Sequence, residues 1–236
     1  MIVGIYTKDF ALLNKITSKI NDKRIKLKHV QNLPIKDISI KVLIAKKRIK
    51  NLNIPQIQPE NLEILELHIR CKLHESENVV VGIDPGGMNG LSVIGSNRIL
   101  FMDNYKSVDD LANIVKSIYT EIGISTIKIG SGSPPERTRI IETLRSFSSI
   151  IQLVDEQNSG SGSHTEAATR IALRKGEYNR NENYTPKPGE IAWIQKQSRR
   201  KSKGLVTIDK DLAFEILVGQ KTMEEAIEQY TRKMNL

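Results

Sequence analysis

The chain has 236 residues, with 36 Lys and Arg against 27 Asp and Glu, a net charge of +9 and a pI near 9.5. Apolar residues make up 39% and charged residues 27%, a mix that excludes disorder of the whole chain. No apolar run reaches the roughly 18–20 residues that span a bilayer, and the start lacks a signal-peptide pattern. The single cysteine, Cys71, excludes an internal disulfide. We expect a soluble cytoplasmic protein with no membrane partner.

Residues 1–75 predict a small α/β domain of unknown role. Hydrophobic periodicity indicates three strands, at 2–6, 25–30 and 40–45, and one helix, at 9–21. A loop with two prolines follows at 53–59. Residues 62–73 alternate apolar and polar side chains, which fits either a last strand or a short helix. A polar break at 74–78 predicts a domain boundary.

The second predicted domain, residues 78–236, opens with three apolar strands separated by short turns, which indicates an antiparallel meander. Helices and strands then alternate, so that the predicted order is β-β-β-α-β-α-β-α. The predicted strands are 79–83, 91–94, 98–102, 126–129 and 150–154. The predicted helices are 107–121, 137–147 and 165–174. A polar and basic insertion over 175–203 precedes two C-terminal helices, at 211–218 and 222–233. The whole chain is therefore predicted to be an α/β protein.

Charge is unevenly distributed along the chain. Residues 1–75 have a net charge of +8 and residues 170–203 a net charge of +7, whereas residues 76–169 have a net charge of −4. Acidic side chains can hold cations, while flanking Lys and Arg displace counterions from phosphate backbones. The distribution therefore predicts a metal-dependent enzyme on nucleic acid, with solvated basic faces as the alternative. The basic cluster Arg199, Arg200, Lys201 and Lys203 is the candidate for phosphate contact.

The sharpest local motif is Gly82-Ile-Asp84-Pro-Gly86-Gly87, which follows an apolar strand. An aspartate there leaves the sheet edge with its carboxylate exposed, and the glycines let a phosphate or metal approach the backbone. An ordinary Asp-Pro-Gly turn is the alternative. Asp155 and Glu156 follow another apolar strand, and carboxyl ends of parallel strands share one edge. We therefore expect one of these two acids to converge with Asp84.

Four further residues follow the last predicted strand. Glu166 opens a helix and is either catalytic or a favourable charge at the helix N-terminus. His164 is either a general base or water-orienting group, or a loop histidine. Asp209 and Asp211 open a late helix, so each is either a cap or the last metal ligand.

These residues, in this order, resemble the ribonuclease H-like superfamily and within it the RuvC/YqgF-type nucleases, over about residues 78–175. In that family a Gly-x-Asp-x-Gly on the first strand supplies the principal metal-binding aspartate, which corresponds to Asp84. The Asp-Glu pair after the fifth strand corresponds to Asp155-Glu156, and Thr165-Glu166-Ala167 resembles a Thr…Glu-Ala pattern. The final aspartate corresponds to Asp209 or Asp211. The resemblance implies a ribonuclease H-like mixed sheet.

The resemblance also implies a Mg²⁺- or Mn²⁺-dependent phosphodiester hydrolase that acts on structured DNA, as a Holliday junction resolvase does. RNA stays an alternative to branched DNA, and the oligomeric state stays open between monomer and homodimer. Hard cations take oxygen ligands, which agrees with carboxylates and no Cys or His cluster. Two rival hypotheses are a nucleic-acid-binding protein of this fold with an incomplete catalytic set, and an acetate- or sugar-kinase-like ATPase. The second needs two copies of the fold, and the sequence shows one Asp-x-Gly strand.

Overall fold

The computed structural model describes residues 1–155, 162–178, 186, 188–218 and 220–234. The described helices are α1 (Phe10–Ser18), α2 (Leu65–Leu73), α3 (Val108–Glu121), α4 (Pro134–Thr143), α5 (His164–Leu173), α6 (Pro188–Lys201), α7 (Lys210–Leu217) and α8 (Met223–Met234). The described strands are β1 (Ile2–Tyr6), β2 (Lys26–Val30), β3 (Ile40–Ala45), β4 (Gln56–Ile57), β5 (Val79–Asp84), β6 (Asn89–Gly95), β7 (Arg98–Tyr105), β8 (Ile124–Gly130), β9 (Ile151–Val154) and β10 (Glu177–Tyr178). Short 3₁₀ helices cover Leu62–Ile64 and Arg145–Ile150.

The first four strands form a parallel sheet in the order β2-β1-β3-β4. Its strands are rich in Ile and Val, whose branched side chains favour a pleated surface. The helix α1 begins where Asp9 accepts a hydrogen bond from Leu12 N at 3.0 Å, as an N-cap does. Ile16 on this helix is buried against the sheet with Val3 and Val42.

The segment that fitted either strand or helix is helical, and two of its sides are buried. Leu65 and Ile69 belong to the core of the first sheet. Ile64, Leu67 and Cys71 belong to the core of the second. Because apolar side chains of this helix face two cores, Glu66, Arg70 and Lys72 form only a narrow polar side, which explains why its sequence did not show clear helical periodicity. The predicted boundary at 74–78 stays a prediction, because α2 contributes to both cores.

The second sheet is mixed, with the order β10-β9-β8-β5-β6-β7 among the described strands. The meander β5-β6-β7 is antiparallel, as predicted, while β8 and β9 run parallel to β5. The helix α3 covers one face, where Leu111, Val115 and Ile118 join the core. The helix α5 covers the other face near β5 and β6. The elements from β5 to α5 thus follow the predicted order. The chain as described is an α/β protein, as predicted.

The predicted basic insertion over 175–203 is partly helical, because it contains α6, where the sequence predicted no helix. The helix α6 packs with α7 and α8 around Ile194, Leu212 and Ala226. Two isoleucines three residues apart, Ile191 and Ile194, form its apolar stripe among many polar residues. So narrow a stripe gives a weak periodic signal, and the fold of this segment depends on packing. Within the described ranges, no helix is both long and apolar enough to cross a bilayer.

Candidate functional site at the edge of the second sheet

Asp84 is the last residue of β5 and is only 9% exposed. Since β5, β8 and β9 are parallel, their carboxyl ends meet at one edge of the sheet. Gly86 and Gly87 lie in the turn that follows. A Cβ atom on Gly87 would meet nothing within 4 Å, so the turn leaves open space beside this edge. The carboxylate therefore lies at the strand end, as predicted, but it is buried and not exposed as the sequence predicted, because the His164 side chain lies against it.

The structure brings His164 to Asp84. His164 is the first residue of α5, and its Nδ1 lies 3.0 Å from Oδ2 of Asp84. An ionised carboxylate only accepts hydrogen bonds, so the imidazole N–H donates in this pair. The His164 side chain is 51% exposed, whereas that of Asp84 is 12% exposed. A buried carboxylate is thus paired with a histidine that reaches solvent.

Glycine at two strand positions allows α5 to lie this close to the sheet. A Cβ atom on Gly82 would lie 2.2 Å from the backbone oxygen of Ala168. A Cβ atom on Gly90 would lie 2.1 Å from the backbone oxygen of His164. Real Cβ atoms do not approach other atoms so closely, so both positions require glycine for the helix to stay in place. The two glycines set the distance between His164 and the strand that bears Asp84.

A lysine holds the opposite end of α5. Lys128 on β8 donates from Nζ to the backbone oxygens of Ala172, at 2.9 Å, and Arg174, at 2.5 Å. A cation at the C-terminal end of a helix stabilises the exposed carbonyls there. Burial lowers the pKa of this lysine. The helix that carries His164 is therefore fixed at both ends against the sheet.

Asp155 follows β9 at the same edge as Asp84, but the two strands are not neighbours. The strand β8 lies between them, with Ile83 beside Ile129 and Ile129 beside Leu153. At about 4.8 Å per strand the two strand ends are about 10 Å apart. The sequence also predicts that Asp84 and one of Asp155 and Glu156 end neighbouring strands, and this part of the prediction is wrong, because β8 lies between the two strands. The backbone oxygen of Asp155 accepts a hydrogen bond from Arg174.

The alternative acid, Glu156, lies outside the described residues. Glu166 completes a capping box, in which its Oε2 accepts from Ser163 N at 3.0 Å. Asp209 is the N-cap of α7, accepts from Leu212 N and lies 3.5 Å from Nζ of Lys233. These contacts are those expected of structural acids at helix starts.

Asp211 is an exposed residue in the first turn of α7. The described part of the chain contains no group of three His, Cys, Asp or Glu side chains that could hold a metal ion. Asp155, Glu166, Asp209 and Asp211 are thus not assembled around Asp84 into a closed protein cage. Mg²⁺ commonly binds through one or two carboxylates together with substrate phosphates. Asp84 supplies one carboxylate at this edge, next to the open space beside Gly87.

A cleft of about 790 Å³ begins at Gly87 and extends to the three helices α6, α7 and α8. The loop after β8 contributes Ser133, α4 contributes Glu136, and α6 contributes Trp193, which is 43% exposed. Ser133 has a left-handed backbone (φ 34°), which is rare for a residue with a side chain and costs conformational energy. Its hydroxyl donates to Glu136 Oε2 at 2.5 Å. The cleft therefore joins the sheet edge to an exposed aromatic ring.

Four basic side chains line this cleft: Arg139, Arg200, Lys201 and Lys221. Lys201 pairs with Glu224, and this hydrogen bond lowers the pKa of the Glu224 carboxyl. The predicted basic cluster is divided, because the other two members, Arg199 and Lys203, are exposed and do not line the cleft.

Sequence reasoning did not assign three of the residues at this site. The sequence left the role of His164 undecided between a functional group and a loop histidine. In the sequence, 80 residues separate His164 from Asp84. Arg139 and Lys221 lie in segments without a basic run, so no local pattern distinguished them. The tryptophan Trp193 did stand out as the single one in the chain. The tertiary fold brings Arg139, Trp193 and Lys221 to the cleft and His164 to Asp84, although no sequence motif connects these residues.

Comparison with known proteins identifies one segment of the chain. Residues 187–232 match a protein family described as a three helical bundle domain. The match covers α6, α7 and α8, which pack around one apolar core. No curated protein matches the chain. The family match thus agrees with the three packed helices that border the cleft.

Proposed function

We propose that this chain is a Mg²⁺- or Mn²⁺-dependent nuclease of ribonuclease H-like fold that acts on structured nucleic acid. Branched DNA is the favoured substrate, and structured RNA is the alternative. The observation that carries the proposal is the Asp84–His164 pair at an open sheet edge, beside a basic cleft. Buried carboxylates paired with histidine in a cleft are typical of active sites.

The order and direction of the strands support the proposal. The antiparallel meander β5-β6-β7 followed by parallel β8 and β9 agrees with the order that the resemblance to RuvC/YqgF-type nucleases implies. In this order the residue that corresponds to the family's principal aspartate, Asp84, ends β5, which lies between β8 and β6 in the interior of the sheet. Open α/β sheets bind their ligands at this end of the strands.

Each group at the site has a distinct task in this proposal. Asp84 would hold the cation, which, when bound, polarises the phosphodiester and lowers the pKa of water. His164 orients the carboxylate through its hydrogen bond. Arg200 and Lys201 hold backbone phosphates, and Trp193 offers a face on which a base stacks.

A second candidate is a nucleic-acid-binding protein of the same fold without cleavage activity. It is favoured by the observation that the described residues contain no group of three metal-ligating side chains. Binding through the cleft requires neither a metal nor a complete acid set. The two candidates differ in one measurable respect, which is metal-dependent cleavage.

The test is cleavage of a four-way junction, a flap and a plain duplex, each with Mg²⁺, Mn²⁺ or EDTA. We expect wild type to cut a branched substrate with metal, and Asp84→Asn to lose this activity while it keeps its affinity for DNA without metal. Asp109→Asn is the matched control, because Asp109 is exposed in the first turn of α3. If wild type cuts no DNA or RNA substrate with either metal, the binding protein is the correct candidate. If Asp84→Asn cuts normally, the site is elsewhere.

A second test uses the division of the basic cluster. Replacing Arg200 and Lys201, which line the cleft, by Gln should reduce the salt dependence of duplex binding by about 0.9 slope units per lost phosphate contact, or about 1.8 in all. The pair Arg199 and Lys203 is the matched control, since both are exposed outside the cleft. Equal effects of the two double variants would contradict binding in the cleft.

A further inference from the structure

A second cavity, of about 500 Å³, lies where the first sheet meets α2 and α3. Its volume falls within the range of small-molecule sites, about 300–1,000 Å³. Gln58 and His68 contribute polar groups to its wall, Glu121 contributes a carboxylate, and Leu52 and Ile54 contribute apolar surface. The cavity is separate from the sheet edge at Asp84, and nothing in the proposed nuclease mechanism uses it.

Two polar groups in this wall have no hydrogen-bond partner among the described residues. His68 is only 6% exposed, and its Nδ1 lies 3.6 Å from Glu121 Oε2, which is longer than a hydrogen bond. The amide nitrogen of Gln58, Nε2, is also buried without a partner. Buried polar atoms in folded proteins are nearly always paired, so the wall of this cavity contains two polar groups that the described residues leave unsatisfied.

The carboxylate of Glu121 is held in a fixed position. Its Oε1 accepts from Asn61 N at 2.9 Å, and its Oε2 accepts from Glu60 N at 3.4 Å. The side chain is 6% exposed. A buried, anchored carboxylate beside a buried imidazole is suited to a ligand that has adjacent N–H and acceptor groups on one edge. Heterocyclic bases have such edges.

Two cations stand at the mouth of the cavity. Arg48 and Lys72 both line it and are both exposed. Guanidinium and ammonium groups recognise phosphate through charge-assisted hydrogen bonds. The cavity thus combines a polar interior, an apolar wall at Leu52 and Ile54, and a cationic mouth. We propose that it binds a nucleoside monophosphate, with the base inside against Glu121 and His68 and the phosphate at the mouth.

The test is calorimetric titration of the full chain, in EDTA, with the four common nucleoside monophosphates, adenosine and inorganic phosphate. We expect at least one nucleotide to bind with a Kd below about 1 mM. Replacing Arg48 and Lys72 together by Gln should weaken that nucleotide at least about tenfold, and leave the affinity for its nucleoside unchanged. His68→Leu should weaken both ligands.

The matched control replaces Lys47 and Lys50, exposed lysines of the same connection that do not line the cavity. This control should bind as wild type does. No binding of any nucleotide at millimolar concentration would overturn the proposal, as would equal effects of the two double variants. A nucleoside that binds as tightly as its nucleotide would overturn the role of the phosphate. If His68→Leu does not fold, the double variant at Arg48 and Lys72, which are exposed, still tests whether the cavity binds the nucleotide.

Discussion

Replacing Gly82 by Ala tests how closely α5 packs on the second sheet. The added Cβ atom would lie 2.2 Å from the backbone oxygen of Ala168 and 2.7 Å from the Cβ atom of Ala172. Ordinary contacts between such atoms are about 3.5 Å or more, so the helix must move by about 1 Å or the strand must bend. Neither neighbour can rotate away, because one is backbone and the other a methyl group.

The expected cost lies at the upper end of the range for overpacked cores, about 3 kcal/mol. With a urea m-value of about 2 kcal/mol per molar, the unfolding midpoint should fall by about 1.5 M. Urea unfolding followed by far-ultraviolet circular dichroism measures this shift. The same displacement moves His164 away from Asp84, so metal-dependent cleavage should decline even where Gly82→Ala is fully folded.

Gly189→Ala is the control, because a Cβ atom there meets nothing within 4 Å. Gly189 is exposed near the start of α6, where alanine gains up to about 1 kcal/mol in helix propensity. Its midpoint should therefore stay the same or rise. A Gly82→Ala midpoint within about 0.2 M of wild type would refute the close packing of α5.

Two further predictions concern titratable groups of the first domain and α2. The hydrogen bond from Arg24, at 2.9 Å, and the nearby Arg70 lower the pKa of Asp22. A depressed carboxyl pKa stabilises the fold above the unfolded-state value, near pH 4, and this stability is lost as the pH falls toward the folded-state value. Unfolding free energies at pH 7 and pH 3 should therefore differ less in Asp22→Asn than in wild type; an identical difference would contradict the ion pair. Burial raises the pKa of the Cys71 thiol to about 12, and the residue is 2% exposed. A thiol reagent at pH 8 should label it only after denaturation, and rapid labelling of the folded protein would contradict its burial.

Much of the local structure was predictable from the sequence. The apolar strand before Asp84 is encoded by a run of Val and Ile, and the glycines after it encode the turn. The predicted helices 9–21 and 107–121 begin at residues that favour helix N-caps, and Asp9 and Ser107 both accept the corresponding backbone hydrogen bonds. These features depend on side chains within a few residues of one another, so local pattern is sufficient to predict them.

Where the pattern was weak, packing decided the outcome. Residues 65–73 contribute apolar side chains to two cores, so the polar side of the helix is narrow and its helical periodicity is weak. The helix α6 has one narrow apolar stripe, and its stability comes from contact with α7. In both segments the helix is held by tertiary contacts that hydrophobic periodicity does not report.

The composition of the candidate site depended on the tertiary structure more than on any motif. The sequence by itself determined that Asp84 ends a buried strand and that the chain carries basic segments. Only the fold decided that β8 separates the ends of β5 and β9, that Glu166 and Asp209 cap helices, and that His164 meets Asp84. The physical reason is that strand order and helix position are set by packing between residues far apart in the chain. Gly82 and Gly90 show this directly, because each lies against the backbone of α5, which is far away in the sequence and close in space.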